Sequence, residues 1–310
     1  MELIKTNFEF KSSNGINTIR GFKICKAEGP YKACVQISHG MVEHIGRYES
    51  FMRYMAQLGF VMYAHDHLGH KNSTEDDSQL GYFAPQDGYK CVLSDLATTA
   101  KMAKSENPDL KLFLLGHSMG SFYARAFAAW YSQLIDGVII SGTGGSNKMA
   151  APGKMIVNTL IKIKGEKYHS DFVANLSFKG FLSKIENPKT SSDWISRDEE
   201  VVNTYVNDKY CQFQFTLSGF RDLMDINTLS NSEECYKAMD LHMPIYIFSG
   251  SMDPVGGFGM GVMEVFEKYK TKGCTDVEVK IYDGGRHEML NELNKLDVYE
   301  DLAAWLNKHI

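Results

Sequence analysis

The sequence predicts an α/β protein with a mostly parallel central sheet, helices on both faces and an inserted helical cap. Strand-like and helix-like segments alternate from residue 33 to residue 141, which is typical of a parallel sheet covered on both faces. The alternation breaks at Gly142 to Ser146 and resumes near residue 243. The residues between contain helix-like segments but no convincing parallel strand. We therefore divide the chain into a core domain of residues 1–144 and 239–310 and a cap of residues 145–238.

The first predicted element is a pair of antiparallel strands in residues 6–26. They are joined at Ser13-Asn14-Gly15, because Asn-Gly tolerates the positive φ of a tight turn. Beyond this pair, short apolar runs predict buried strands and longer amphipathic stretches predict helices. In chain order these are strand 33–38, helix 47–58, strand 59–64, helix 88–105, strand 111–115, helix 119–132 and strand 137–141.

The core resumes after the predicted cap. Met243-Pro244 leads into the apolar run 245–248, which predicts another strand. The last predicted strand is 277–282, and the chain closes with a helix from about residue 296 to residue 308.

Composition indicates a folded globular protein that does not bind nucleic acid. Hydrophobic residues make up 44% of the 310 residues and charged residues 23%, so a sizeable core can be buried. The formal net charge is −5 and no long Lys/Arg run occurs, whereas phosphate binding needs a basic face. A small or amphiphilic substrate is the expected partner, and the sequence leaves the oligomeric state open.

The start of the chain gives an expectation for localisation. Residues 1–5 lead at once into a polar segment and lack the apolar stretch and cleavage site of a secretory signal. No window approaches the ~18 apolar residues that a membrane-spanning helix requires. We expect a cytoplasmic protein.

The segment Gly116-His117-Ser118-Met119-Gly120 fits the G-x-S-x-G motif that presents a nucleophilic serine. It lies between a predicted strand and a predicted helix, which is the context that the motif requires. The glycines are expected because side chains beside so sharp a turn would collide with neighbouring elements. The helix start would direct the backbone N–H of Met119 at negative charge developing near Ser118. The alternative is a Gly/Ser turn in an ordinary α/β protein.

A serine hydroxyl needs a histidine base and an acid, and both are available later in the chain. Asp253 follows the strand 245–248, and His287 follows the strand 277–282. The order Ser, Asp, His, each at the carboxyl end of a strand, favours catalytic roles for all three. The alternatives are a turn-forming Asp253 before Pro254 and a polar loop residue at 287. The rival acids are Asp225, Asp240 and Asp283.

A second hydrogen-bond donor for the developing oxyanion is expected where His39-Gly40-Met41 ends the early strand. We assign this donor to the backbone N–H of Met41 and the other to that of Met119. His39, Gly40 and His117 lie beside these positions in the sequence and are candidates for substrate contact. The alternative for His39 is a residue that caps the strand with a satisfied imidazole.

Two further patterns raise the question of a metal or cofactor site. Residues 65–70 contain three histidines and an aspartate, but the pattern lacks the carboxylate expected next to the last histidine and no second cluster completes a site. A structural His/Asp turn is the favoured interpretation. Residues 142–147 follow a strand but lack the third glycine of G-x-G-x-x-G, and residues 256–261 do not follow a first strand. We expect no metal and no cofactor.

The sequence resembles the monoacylglycerol lipase and lysophospholipase family of α/β-hydrolases, also described as serine aminopeptidase-like. The likeness rests on His39 to His44 with Gly46-Arg47-Tyr48, on residues 64–70, on the Ser118 motif and on Gly285-Arg286-His287-Glu288. It spans most of residues 20–310, excluding the cap. The family usually has glycine at the positions of Val42 and Lys71. The resemblance implies an α/β-hydrolase fold, a cap over the serine and substrates that are esters of fatty acids.

These inferences together predict a serine hydrolase that cleaves carboxylic esters, with monoacylglycerols or lysophospholipid-like esters implied by the resemblance. A peptidase or amidase and an acyltransferase of the same fold remain alternatives, as does a catalytically silent binding protein. Aromatic residues of the cap are candidates for an apolar pocket or for the cap's own core: Phe172, Phe178, Phe181, Trp194, Tyr205, Phe213, Phe215 and Phe220. The lysine-flanked apolar segment 155–167 is either a membrane-surface contact or an ordinary solvated helix face.

Overall fold

The structure of the protein is a computed structural model, which covers residues 2–147 and 149–310. Its centre is an eight-stranded sheet with the order β1-β2-β4-β3-β5-β6-β7-β8. β1 pairs with β2 and β2 with β4 in antiparallel fashion, and the other neighbours are parallel. The α/β-hydrolase fold with a mostly parallel sheet is therefore confirmed. The strands are β1 Leu3–Lys11, β2 Thr18–Lys26, β3 Cys34–Ser38, β4 Val61–His65, β5 Leu112–His117, β6 Gly137–Ser141, β7 Ile245–Gly250 and β8 Val277–Tyr282.

Helices cover both faces of the sheet. Before the insertion, the core contributes α1 Glu49–Gln57, α2 Gly88–Glu106 and α3 Met119–Trp130. The insertion contains α4 Ala150–Lys164, α5 Asp171–Ser177, α6 Glu199–Asn207, α7 Leu217–Ser230 and α8 Glu233–Lys237. After the insertion come α9 Met260–Thr271 and α10 Lys295–Lys308. No helix among residues 2–147 and 149–310 combines the length and apolarity needed to cross a membrane.

The strand sequences divide the core into two layers because alternate side chains point to opposite faces of a sheet. On β5, Leu112 and Leu114 enter the layer that packs against α2 and α3. Phe113 and Leu115 enter the layer that contains residues of α1 and α10. Near-continuous apolar runs such as this are expected of strands covered on both faces. Burial on both faces fixes the strand register and with it the position of every loop at the carboxyl edge.

Several predicted boundaries differ from the structure by a few residues, and two of them have a local explanation. The helix expected at 47–58 begins with a 3-10 turn at Ile45–Tyr48, and the regular α1 starts only at Glu49. The strand expected from residue 59 starts at Val61, because Gly59 adopts a φ of 99° in the turn between α1 and β4. The helix α9 was not predicted. It begins at Met260, within the glycine-rich stretch 256–261, which carries no helix signal.

The proposed division into core and cap remains a prediction, but the packing of the insertion is informative. α7 packs against α3 and α2, and α8 packs against α3. The fully buried guanidinium of Arg125 on α3 donates to the carbonyls of Gly144 and Ser230. Both ends of the insertion are thus tied to the helix that follows Ser118.

Candidate active site

Ser118 lies at the turn between β5 and α3 in the geometry that the G-x-S-x-G motif predicts. Its φ of 54° and ψ of −120° are strained for a residue with a side chain. A Cβ on Gly116 would come within 2.2 Å of the Gly120 carbonyl oxygen, and one on Gly120 within 1.9 Å of the Ser38 oxygen. Only glycine fits at either position. The strained turn leaves Ser118 partly exposed at the carboxyl edge of the sheet.

His287 and Asp253 come from separate loops at the same edge and form a hydrogen-bonded pair. His287 Nδ1 lies 2.9 Å from Asp253 Oδ1, and both side chains are buried. Asp253 also accepts hydrogen bonds from Ser249 Oγ at 2.7 Å and from the Val255 N–H at 2.9 Å. An ionised Asp253 fixes the proton of the neutral imidazole on Nδ1, which leaves Nε2 as the basic nitrogen.

The electrostatics of this pair suit a general base. Burial by itself lowers the pKa of His287, but the Asp253 carboxylate outweighs burial and holds that pKa above its ordinary value of 6.5. Burial by itself raises the pKa of Asp253, and the imidazole with the two other donors holds it below its ordinary value. Asp253 therefore stays ionised near neutral pH, as an orienting acid must.

The three rival acids have other partners. Asp225 pairs with Lys154, and Asp240 accepts the His242 N–H at 2.9 Å. Asp283 accepts a 3.4 Å hydrogen bond from Ser251. Among the residues that the structure describes, Asp253 is the carboxylate that hydrogen-bonds to His287.

Two backbone N–H groups lie beside Ser118 without acceptors among the described residues. Met119 is the first residue of α3, a position whose N–H has no partner within a helix. The N–H of Met41 donates to none of the described residues. Gly40, Met41, His117, Ser118, Met119 and His287 all line one cavity. The candidate oxyanion donors, nucleophile and base are thus brought together.

His39 lies behind the wall of this cavity, and its position does not support the direct contact with substrate that we expected. The side chain is fully buried and does not line the cavity. Its Nδ1 donates to the Gly40 carbonyl at 2.7 Å, and its Nε2 accepts the His67 N–H at 2.9 Å. Burial lowers the pKa of His39 well below its ordinary value, so it stays neutral. Because Gly40 O and Met41 N–H belong to one peptide unit, His39 sets the direction of the Met41 donor.

His117 and Gly40 remain candidates for substrate contact, since both line the cavity. The ring of His117 lies 4.6 Å from that of His287, and burial lowers its pKa to about 3. A neutral His117 adds no competing charge beside the base.

Val42 and Lys71, the two positions at which the family resemblance implies glycine, have a glycine-like backbone. Val42 has a φ of 54° and Lys71 a φ of 30°, both in the left-handed region that favours glycine. The backbone of the Val42 loop is held on one side by His70, whose Nε2 accepts the Val42 N–H at 3.3 Å. The Val42 side chain therefore adds apolar bulk to the cavity wall while its backbone stays in a left-handed conformation.

A buried ion network next to the site was not predicted from the sequence. Arg47 donates through both terminal nitrogens to Glu288, at 2.6 Å each, and to Glu43 at 3.0 Å. Glu43 accepts the Gly40 N–H at 2.5 Å and the Tyr48 hydroxyl at 2.7 Å. The network links the loop of Met41 to the loop of His287. Two features of the sequence could have indicated this network. They are the charged residue directly after His287 and the opposite charges of Glu43 and Arg47.

The remaining wall of the cavity is apolar and comes largely from the insertion. Of the eight aromatic residues considered as pocket candidates, four line it: Phe178, Phe181, Trp194 and Tyr205. Phe215 and Phe220 are fully buried in the core cluster and Phe213 packs against that cluster, whereas Phe172 is 60% exposed. The Trp194 ring lies 5.0 Å from that of His287, and the Trp194 carbonyl accepts the His287 N–H at 3.3 Å. The insertion thus contacts the candidate base directly.

The histidine-rich segment 65–70 has structural hydrogen bonds. Asp66 accepts the Ile45 and Asn72 backbone N–H groups. His65 is hydrogen-bonded to the Thr99 hydroxyl and His67 to the Ser38 hydroxyl.

A different group, His44, Asp208 and Cys211, has atoms close enough to share a metal ion. However, His44 Nδ1 accepts the Gly46 N–H, so the proton lies on Nε2, which faces Asp208. A neutral His44 in this tautomer does not offer Nε2 to a metal ion.

Comparisons with known proteins agree on the family. A profile of the family described as "Serine aminopeptidase, S33" matches residues 29–294. Human monoglyceride lipase is 27% identical over 288 residues, which cover 91% of this chain and 85% of that protein. The monoacylglycerol lipase of Mycolicibacterium smegmatis is 26% identical over 284 residues, covering 90% and 89%. A solved carboxyl esterase from Bacillus coagulans, in complex with glycerol, has a TM-score of 0.92 and 29% identity over 98% of both chains.

Proposed function

The chain belongs to the serine aminopeptidase S33 family of α/β-hydrolases and is a carboxylic ester hydrolase, and we propose that it cleaves monoacylglycerols or similar acyl esters through a Ser118-His287-Asp253 triad. The observation that carries the proposal is the shared apolar cavity. Ser118, His287 and the residues of both candidate oxyanion donors line it, and aromatic residues of the insertion form part of its wall. An acyl chain is the part of an ester that such a wall accommodates.

The proposed reaction has two halves. In the first, Ser118 Oγ attacks the ester carbonyl carbon while His287 Nε2 takes the hydroxyl proton. The N–H groups of Met41 and Met119 stabilise the tetrahedral oxyanion. Its collapse breaks the bond to the alcohol oxygen, and His287 returns the proton to the leaving alcohol. An acyl-Ser118 ester remains.

In the second half, His287 removes a proton from water, whose oxygen attacks the acyl carbon. The second tetrahedral oxyanion occupies the same donors and collapses to release the fatty acid. The proton on His287 passes to Ser118 Oγ and regenerates the enzyme. Asp253 holds the imidazole in the Nδ1–H tautomer and stabilises the imidazolium in both halves.

Substrate panels test the proposal. Turnover of p-nitrophenyl esters from acetyl to palmitoyl and of monoacylglycerols is measured for the wild type and for Ser118→Ala. Serine-dependent turnover with a maximum at medium or long chains supports the proposal. A maximum at acetyl contradicts the lipid part and indicates a general esterase. Faster cleavage of aminoacyl arylamides than of esters would indicate a peptidase, and acyl transfer to added alcohol in preference to water would indicate an acyltransferase.

A second part of the proposal is that the insertion touches lipid surfaces transiently. Apolar side chains are exposed on its consecutive helices α4 and α5, with Met155 at 72%, Ile163 at 69% and Phe172 at 60%. Lys162 and Lys164 on α4 are also exposed and suit anionic headgroups. Leu160, expected on the same face, instead packs against the core.

Vesicle sedimentation tests this surface contact. Binding to anionic phosphatidylglycerol vesicles should fall with Ile163→Glu and remain with Met260→Glu, a matched change at an exposed methionine of α9. Equal binding of both variants, or none by the wild type, would indicate an ordinary solvated face.

A further inference from the structure

We propose that Tyr205 on α6 of the insertion is a positioning residue for the oxyanion hole, because its hydroxyl holds the loop that carries the Met41 donor. The Tyr205 hydroxyl donates to the Val42 carbonyl at 3.1 Å. Val42 directly follows Met41 and has a left-handed φ of 54°. The inference rests on the proposed function, since it assigns the Met41 N–H to the oxyanion.

The Val42 backbone is anchored from two sides. On the core side, His70 Nε2 accepts the Val42 N–H, and His70 Nδ1 donates to the Leu68 carbonyl at 2.9 Å. On the insertion side, the Tyr205 hydroxyl donates to the Val42 carbonyl. A valine with left-handed φ relaxes toward ordinary dihedrals unless its surroundings hold it. Rotation of this residue would turn the adjacent Met41 N–H away from the cavity.

A second contact joins the same two segments. His44 Nε2 donates to Asp208 Oδ2 at 2.8 Å, just beyond the end of α6. The Tyr205 ring also lies over the Arg47 guanidinium, with 4.8 Å between the guanidinium carbon and the ring centroid. The end of α6 is therefore bonded to the oxyanion loop and packed on the ion network beneath it. Displacement of α6 would release the Val42 carbonyl and leave the oxyanion hole less ordered.

Tyr205 also lines the cavity, so its hydroxyl has a rival role as a direct contact for the alcohol half of a glycerol ester. The two roles make different predictions. A positioning role affects every ester equally and acts on the tetrahedral state. A direct contact affects only esters whose alcohol carries hydroxyl groups.

The experiment compares Tyr205→Phe with wild type on p-nitrophenyl and glycerol esters of one acyl chain. Loss of one hydrogen bond that orders the donor should lower kcat about fivefold for both substrates with KM little changed. Affinity for an acyl trifluoromethyl ketone, whose serine adduct carries an oxyanion, should fall by the same factor. The matched control is Tyr82→Phe, which removes a 2.8 Å hydroxyl bond from the core to Glu166 of the insertion. Neither residue lines the cavity, so kcat should be unchanged.

Three outcomes would overturn the inference: unchanged kcat in Tyr205→Phe, loss confined to glycerol esters, or an equal loss in Tyr82→Phe. Asp208→Ala provides a second measurement, because it removes the His44 contact and should also weaken the trifluoromethyl ketone adduct. Failure of the proposed function is distinguishable, since the wild type itself would then turn over neither ester. An active wild type with an unaffected Tyr205→Phe overturns only the positioning role.

Discussion

At the scale of single residues, the candidate site depends on backbone conformations and close approaches that admit few alternatives. Ser118 and Val42 both hold left-handed φ values at the cavity. Gly142, the first residue of the segment that failed to match the dinucleotide-binding motif, has a φ of 58° beside the candidate base. A Cβ at this position would lie 2.9 Å from His287 Cε1. Gly142 therefore makes room for the imidazole.

Gly142→Ala should remove most of the esterase activity, because the new methyl group displaces the His287 ring and the left-handed φ is strained for alanine. The backbone strain alone costs about 1–2 kcal/mol. Gly15→Ala is the matched control: Gly15 has a φ of 74°, but a Cβ there would meet nothing within 4 Å. Kinetics and urea unfolding of both variants check this. We expect both variants to lose a similar amount of stability and only Gly142→Ala to lose activity. Full activity in Gly142→Ala would contradict a role for Gly142 in making room for the imidazole.

The pH dependence of kcat/KM follows from the electrostatics of His287. The general base must be neutral, and Asp253 holds the pKa of His287 above 6.5, so the acid limb of the profile should lie above pH 6.5. In Asp253→Asn the largest effect that raises the pKa of His287 is lost while burial still lowers it, and the more distant Glu288 and Glu43 carboxylates offset burial only in part, so the limb of the residual activity should move to lower pH. The rate should fall by about 10⁴. Asp283→Asn should leave rate and limb unchanged. If the acid limb of the pH profile stays at the same pH in Asp253→Asn, a residue other than Asp253 orients His287.

The sequence was sufficient to propose the three residues of the candidate triad, which remain a prediction, but not the residues that support them. Ser118, Asp253 and His287 were found because each follows a strand, and strand ends meet at one edge of a parallel sheet. The substrate role expected of His39 could not be judged from sequence, since its burial and its two backbone partners arise only from tertiary packing.

At the scale of elements, the loop of Met41 and the loop of His287 are coupled by the Glu43-Arg47-Glu288 network. Burial raises the pKa of Glu43, and the single cation only partly offsets this. Burial also acts on Glu288, but the two-pronged contact with Arg47 holds its pKa below the ordinary value. The Arg47 guanidinium is thus paired with two buried carboxylates, and its removal would leave both without this cation.

Arg47→Met should destabilise the protein by about 3–5 kcal/mol, because it leaves two buried carboxylates unpaired. The comparison is Arg53→Met, which breaks a more exposed pair with Glu49 on α1 and should cost less than about 1 kcal/mol. Urea unfolding of the two variants measures the difference. Similar free energies of unfolding for both would show that the buried network contributes no more than a surface pair.

The sequence could not reveal this network or the contacts of α6. Arg47 and Glu288 lie 241 positions apart, and Tyr205 and Val42 lie 163 apart. Hydrophobic period identifies where an element lies but not which polar groups on it will meet. The helix α9 was missed for a local reason, since its first turn follows Gly256, Gly257 and Gly259 and offers no capping side chain.

At the scale of the whole molecule, the alternation of strands and helices was sufficient to predict the fold. The alternation does not specify the order of strands in the sheet, where β4 lies between β2 and β3. The extent of the cap is less well determined by sequence, because α7 and α8 are amphipathic like the rest but pack against α3. The insertion supplies the aromatic wall of the cavity and contacts both the His287 loop and the Val42 loop. Substrate preference should therefore depend on the insertion, whereas the candidate reacting groups all come from the core.

The central claim is that Ser118 is a nucleophile activated by His287. Its most direct test is mass spectrometry of the intact protein and its peptides after reaction with a fluorophosphonate. We expect one adduct per chain, located on Ser118, absent in Ser118→Ala and formed far more slowly in His287→Ala. An adduct that persists in Ser118→Ala, or an unlabelled wild-type protein, would contradict the account.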